Sequence, residues 1–207
     1  MKSTWNLIGY ALWLILIIYL VWMIYNMRDR RLKMIVEQKK TFSWHNFSIS
    51  VVELVVFLLA FWGMSYTTFF QDVKKLNNNA VQTTYSYRPL VMEYSGGRSY
   101  YVLVQNGAGR HPIQNYTYFV HNGKYMVDSL NATVVYGKAN SNVAAQAYNW
   151  NQGKLKYMDQ RYQKAWVATV TTTYKKNFVN GLGLHAGRQA NRFDLIRVPD
   201  YTFMKTE

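Results

Sequence analysis

The chain has 207 residues, with 24 Lys and Arg against 10 Asp and Glu, a formal charge of +14, and no Cys. The missing Cys excludes a disulfide scaffold, a thiolate nucleophile and any Cys-ligated metal. With half the residues apolar and 17% aromatic, a wholly disordered chain is excluded too.

Two stretches set the class. Trp5 to Tyr25 carries no charge, and Phe47 to Phe70 carries only Glu53. A helix needs roughly 20 mainly apolar residues to cross the hydrocarbon core of a bilayer. A soluble helix would show a polar face every 3.6 residues, and residues 11–24 show none. The first run exceeds a signal-peptide core and ends in Tyr25-Asn26-Met27-Arg28 without a small-residue cleavage pattern, so it reads as retained. The expected membrane region is residues 1–70: a span over 4–26, a basic loop over 27–46 and a span over 47–70. The loop holds Arg28, Arg30, Arg31, Lys33, Lys39 and Lys40. Basic residues resist translocation, so these six keep the loop cytoplasmic and place the N-terminus and residues from 71 onward outside the membrane. Lys74 and Lys75 after the second span oppose this weakly. Leu32, Ile35 and Val36 fall at helical spacing within the loop, but so short a stripe reads as incidental to a topology signal.

Glu53 lies about six residues into the second span, ~9 Å at helical rise. A carboxylate inside a membrane segment is a functional candidate by default. Its alternatives are reaching back to the interface or pairing with a Lys or Arg of the loop, and contact with a partner helix or binding of a proton. Asn6 and Gly9 suit close helix contact in the first span, although no GxxxG pair is present.

After the second span, residues 71–86 are polar, with Asn77-Asn78-Asn79 inside them, and read as a stalk. Residues 87–207 read as a mainly β, antiparallel-sheet extracytoplasmic domain, with an α+β variant left open. Strand-prone runs occur at 90–94, 100–104, 113–120, 124–128, 132–136, 167–174 and 193–198, punctuated by Gly and Asn turns. Asn122-Gly123 carries the hairpin signal of a type I′ turn. Residues 141–164 are ambiguous: Tyr157, Met158, Arg161, Tyr162 and Ala165 fit one helical face, while Asn151-Gln152-Gly153 fits a hairpin turn.

The chemistry-bearing patterns are sparse. Gly181-Leu182-Gly183-Leu184-His185-Ala186-Gly187 lacks the βαβ setting and downstream acid of a dinucleotide fingerprint, and reads as a flexible loop. The four His residues show no metal-ligand spacing. Ser95 or Ser99 with His121 and Asp128 forms a triad on paper, Asp128 lying near His121 across the expected hairpin, but no G-x-S-x-G motif supports it. No cofactor, metal or catalytic residue is assigned, and the chain does not read as an enzyme; an envelope hydrolase or transferase would need a nucleophile or metal that the sequence does not show.

Basic and aromatic residues interleave at Lys154, Lys156, Tyr157, Arg161, Tyr162 and Lys164, and again around Arg98. Inside a cell this pattern suits single-stranded nucleic acid. Outside a membrane the available polyanions are wall polymers, acidic glycans and lipid headgroups. Tyr also suits a small β core, with the charges serving solubility. The expected partners are therefore the bilayer, an anionic cell-wall polymer or lipid, and a membrane-protein partner contacting the spans and Glu53, with no nucleic acid.

A retained span, the basic run Arg28-Asp29-Arg30-Arg31-Leu32-Lys33, a second span with one acid and a Tyr-rich outer domain together resemble the small, uncharacterised two-span envelope membrane proteins of lactic-acid bacteria. The resemblance covers the whole chain in layout. It implies a location, the envelope of a Gram-positive bacterium, and a fold; it carries over no catalytic residue.

Overall fold

The computed structural model describes residues 3–39, 41–70, 79–107, 113–137 and 142–207. The chain forms two units, Met1–Gln82 with Thr173–Ala190, and Thr83–Thr172 with Asn191–Glu207. It passes from one to the other between residues 82 and 83, 172 and 173, and 190 and 191.

The first unit is a helical hairpin. Helix α1 runs Asn6–Gln38 and α2 runs Trp44–Phe69. Both are long and apolar enough to cross a membrane. They are antiparallel: Trp13 near the start of α1 donates to Thr68 at the end of α2, while Arg30 meets Glu53 toward the other end. Leu16, Met23 and Met34 are buried at spacings of two and three helical turns, which defines the stripe of α1 that faces α2. Residues 27–38, expected as loop, continue α1. The reason is local: Arg, Lys, Leu and Met are good helix formers, and neither Gly nor Pro occurs between Asn26 and Ser43. The helix ends where Lys39 turns left-handed (φ 50°) and its N–H closes on the Met34 carbonyl. Phe42, Trp44 and Phe47 then cluster at the turn, with ring centroids 5.2–6.0 Å apart, all three exposed.

A third, short helix, α5 (Phe178–Leu182), completes this unit and packs on α1 and α2. Asn177 caps it, accepting from Asn180 N–H. Asn180 is buried and ties the segment together, donating to the carbonyls of Ala80 and Lys175 and accepting from the N–H groups of His185 and Ala186 through its own carbonyl.

Among its described residues the second unit is built from ten strands, two α-helices and a 3-10 turn at Tyr201–Phe203. Strands β1 (Val81–Pro89), β8 (Trp166–Tyr174), β9 (Gln189–Val198) and β7 (Ala132–Tyr136) form one sheet in the order β1-β8-β9-β7. Strands β10 (Met204–Thr206), β4 (Val102–Asn106), β5 (Gln114–Val120) and β6 (Gly123–Asp128) form a second in that order, and β2 (Glu93–Ser95) with β3 (Arg98–Tyr100) makes a separate hairpin. Helices α3 (Val143–Gln146) and α4 (Gln152–Arg161) follow β7.

Alternation along the central strands explains the layering. Val167, Ile196 and Val198 pack with Val102, Val104, Tyr118 and Val120 of the second sheet. Their neighbours Trp166, Ala168, Val170, Phe193 and Leu195 point the other way and pack with Leu155 and Met158 of α4, with Trp150 and with Ala145. The first sheet is thus covered on both faces, and consecutive apolar residues at Trp166–Val167–Ala168 and Leu195–Ile196 serve both of them.

Mainly β architecture with antiparallel pairs matches the expected fold class; three features differ. Strands β7·β9 and β10·β4 pair in parallel. Residues 81–86, expected in the stalk, begin β1, because Val81-Gln-Thr-Thr-Tyr is β-prone and finds β8 as partner; residues 71–78 lie outside the described residues. The β5–β6 turn is centred on His121-Asn122, with Val120 opposite Gly123. Neither central residue has a positive φ, whereas Gly123, expected as the second central residue, sits at φ +143° one position past the observed centre.

Candidate functional site

Three places hold candidate functional residues. The first is α4. Asn151, one of two readings of the sequence there, is its N-cap and accepts from Lys154 N–H. Leu155 and Met158 are buried, so Lys154, Tyr157 and Arg161, spaced i, i+3 and i+7, form the opposite, exposed face with Lys156 beside them. The Lys154 ammonium lies 5.1 Å from the Tyr157 ring centre. The helix's one carboxylate is withdrawn from this face: Asp159 accepts from Trp166 Nε1 at 2.8 Å and pairs with the fully buried Arg197 at 3.5 Å. Two expected contact residues are turned elsewhere. Tyr162 is half-buried against the core, and Lys164, held left-handed at φ 64°, donates to the Gly137 carbonyl. Both follow the last turn of α4, where the chain bends back into β8. Arg98 is exposed in the separate β2–β3 hairpin.

The second is the ion pair between the helices. Glu53 accepts from Arg30 through both carboxylate oxygens, at 3.0 and 2.5 Å, and from Asn26 Nδ2 at 2.8 Å. Arg30 also reaches Ser50 Oγ at 3.4 Å. Side-chain exposure is 19% for Arg30 and 12% for Glu53. The fork geometry satisfies the carboxylate within the hairpin, so Glu53 takes the structural pairing of its two readings, with a partner on α1 and not in a loop. Of the other topology residues, Lys33 pairs with Asp29 at 2.8 Å one helical turn away. Arg28, Arg31 and Lys39 are exposed, and Lys40 lies outside the described residues.

The third was missed in the sequence. The segment read as a flexible loop, Gly181 to Gly187, packs on the N-terminal end of α1. Asn6 Nδ2 donates to the Ala186 carbonyl at 3.1 Å and Asn6 Oδ1 accepts from Ala186 N–H at 3.0 Å, a reciprocal pair that mimics a β-bridge in a buried setting. A Cβ on Gly9 would stand 2.6 Å from the Gly181 carbonyl oxygen, and one on Gly183 2.5 Å from that of Thr67, so the glycines permit backbone-to-backbone approach. His185 stacks on Tyr174 with centroids 4.9 Å apart. Burial and the nearby Arg188 hold its imidazole below the usual value, against hydrogen bonds to the carbonyls of Thr67 and Thr68. The signal that marks this place is Asn6, a carboxamide in an apolar run, which demands a partner.

The triad drawn on paper does not assemble. His121 sits in the β5–β6 turn, while Asp128 pairs with Asn115 at the far end of the hairpin, about 17 Å away at strand rise. The Asp128 carboxylate instead accepts from the N–H groups of Leu130 and Asn131. Among the described residues no three His, Asp or Glu side chains are grouped as metal ligands.

No curated protein and no solved structure matches the chain significantly. A family model described only by a "-like" designation matches residues 4–205, nearly the whole length, and accords with the likeness to lactic-acid-bacterial proteins; the chain belongs to that family.

Proposed function

We propose that this is a two-span membrane protein of the cell envelope, which anchors a basic β unit outside the membrane and contacts an anionic, phosphodiester-type wall polymer through α4. The two helices support the membrane reading. Leu14, Ile17, Ile18, Val21, Leu58, Leu59 and Trp62 are each more than half exposed, an apolar surface far larger than a soluble monomer carries. The observation that carries the polymer contact is the uncompensated face of α4, where Lys154, Tyr157 and Arg161 align and Asp159 is turned into the core. Cations pair with phosphate, and the tyrosine ring offers an apolar face to sugar. The test is retention of the detergent-solubilised full chain on purified anionic wall polymer across a salt series. Retention falls with salt, and Lys154→Gln with Arg161→Gln lowers it severalfold at low salt. Equal retention of this variant sinks the assignment.

One observation favours a second role, that of an accessory subunit of a larger membrane complex. Helix α1 is about 50 Å long at helical rise, against roughly 30 Å of hydrocarbon. The surplus ends in the exposed Phe42, Trp44 and Phe47. Co-purification of a membrane protein that is lost on Trp44→Ser would support this role.

A further inference from the structure

A cavity of about 290 Å³ opens at the N-terminal end of α1, lined by Ser3, Asn6, Leu7 and Tyr10 on the helix side and by Gly187 and Arg188 opposite. Ser3 is only 8% exposed, and its hydroxyl has no hydrogen-bond partner. A buried hydroxyl left unpaired costs about 1–3 kcal/mol, so it marks a position where a polar ligand atom belongs. Helix α1 has 33 residues, no side-chain cap and no acid in its first turn; the N–H groups of Asn6, Leu7 and Ile8 donate to the carbonyls of Ser3, Thr4 and Trp5, and the positive end of the helix lies beside the cavity. Two cations stand beside it. Arg188 lines the cavity, and the Lys176 side chain passes 3.5 Å from where a Cβ of Gly187 would lie, next to Ser3. Neither forms an ion pair among the described residues. Gly187 holds φ +76°, a conformation that keeps this rim free of a side chain. The described acids of α1 are remote: Asp29 is 23 residues along the helix from Asn6, about 35 Å.

The other side of the cavity is apolar. Leu7 is 64% exposed and Tyr10 48%, on the outer surface of a helix whose next three turns are wholly apolar. Trp5 and Tyr10 are residue types that settle at the headgroup level of a bilayer. A positive, partly unsatisfied polar end therefore meets a hydrocarbon-compatible face at headgroup depth.

We propose that this cavity binds the phosphate group of an anionic phospholipid. The phosphate oxygens accept from the Ser3 hydroxyl and face Arg188, Lys176 and the α1 N-terminus, and the acyl chains run along Leu7 and Tyr10. This assignment rests on α1 spanning a bilayer, and is independent of the polymer contact at α4. Free phosphate offers the same anionic chemistry without the chains, and the test separates the two.

The full chain, purified in non-ionic detergent and delipidated, is titrated by native mass spectrometry with phosphatidylglycerol, phosphatidylcholine and inorganic phosphate. Phosphatidylglycerol binds at least about tenfold more tightly than either of the others: phosphatidylcholine carries the same phosphate but brings its choline cation against Arg188 and Lys176, and inorganic phosphate lacks the acyl chains. Arg188→Gln with Lys176→Gln removes that preference. Ser3→Val, which removes the hydroxyl without altering charge, weakens phosphatidylglycerol binding by a similar factor. Lys154→Gln with Arg161→Gln leaves it unchanged. Equal retention of the two lipids, inorganic phosphate binding as tightly as phosphatidylglycerol, or wild-type lipid binding by both cavity variants overturns the proposal. Flotation of the chain with vesicles in high salt is scored separately: a chain that does not float refutes the two-span reading itself, and this site with it.

Discussion

Replacing Glu53 by Leu leaves Arg30 without its counter-ion inside the hairpin. The cost follows from burial and geometry. With 12% and 19% side-chain exposure and a two-pronged contact, the pair is much closer to a buried than to a surface ion pair. Breaking a buried pair costs about 3–5 kcal/mol, whereas surface pairs contribute about 0–1 kcal/mol. Arg30 keeps its Ser50 contact and lies near the end of the apolar stretch, where its long stem reaches toward polar headgroups. Glu53→Leu is therefore expected to cost about 2–4 kcal/mol. Arg30→Leu costs somewhat less, since Asn26 still donates to the carboxylate. The double variant leaves no unpaired charge and returns to within about 1 kcal/mol of the wild type, because apolar replacement of a whole buried pair is often near neutral. The measurement is a double-mutant cycle on unfolding of the full chain in detergent micelles, followed by tryptophan fluorescence. A coupling energy under about 0.5 kcal/mol, or a double variant as unstable as the sum of the two singles, would refute the reasoning.

Other outcomes follow from the same physics. Asp159→Ala strips the counter-ion from Arg197, which has no exposed surface, and the acceptor from Trp166 Nε1. A loss of about 3–5 kcal/mol is expected in chemical unfolding, and Asp159→Asn recovers the Trp166 bond but not the charge. Asn6→Leu leaves the Ala186 carbonyl without its partner in a buried setting, while the Ala186 N–H keeps its bond to the Asn180 carbonyl, so the change is expected to cost about 1–3 kcal/mol. Hydrogen exchange read by mass spectrometry should then show lost protection across residues 177–187 while α4 is unaffected. The lowered pKa of His185 gives a pH dependence with a definite sign. Its neutral form is favoured in the fold, so its contribution is complete above the ordinary value of 6.5 and declines as pH falls below it. The midpoint of thermal unfolding should drop between pH 7.5 and 5.5, and His185→Phe, which keeps the stack on Tyr174, should flatten that drop. An unchanged slope in the variant would reassign the effect to another group.

The apolar runs and most strands were legible because they depend on local pattern. Val167 to Tyr174 is β-branched and became β8; Ala132 to Tyr136 became β7. What escaped depends on non-local partners. The parallel pairing of β7 with β9 joins residues about 62 apart, Ala132 with Asp194, and no local signal specifies it. Glu53 was visible as an anomaly, but its partner Arg30 was read as a loop charge, because a charged run at the end of an apolar helix looks the same whether or not the helix continues. The Gly181–Gly187 stretch looked like a loop because glycines lower helix propensity. Here they serve close approach to Trp5, Gly9 and Thr67, which only the folded backbone reveals. On α4 the alternation of Leu155 and Met158 with Lys154, Tyr157 and Arg161 was present in the sequence. At its other end Tyr162 packs against the core and Lys164 donates to the Gly137 carbonyl, because both follow the helix where the chain bends back into β8, a bend that helical periodicity does not show.

The most direct test of a membrane hairpin that places the β unit outside uses the absence of native Cys. Single-cysteine chains Lys156→Cys, on the exposed face of α4, and Phe42→Cys, at the α1–α2 turn, are treated in intact cells with a membrane-impermeant maleimide. Lys156→Cys should label without permeabilisation and Phe42→Cys only after it. The reverse pattern, or equal labelling of both sites in intact cells, would contradict the account.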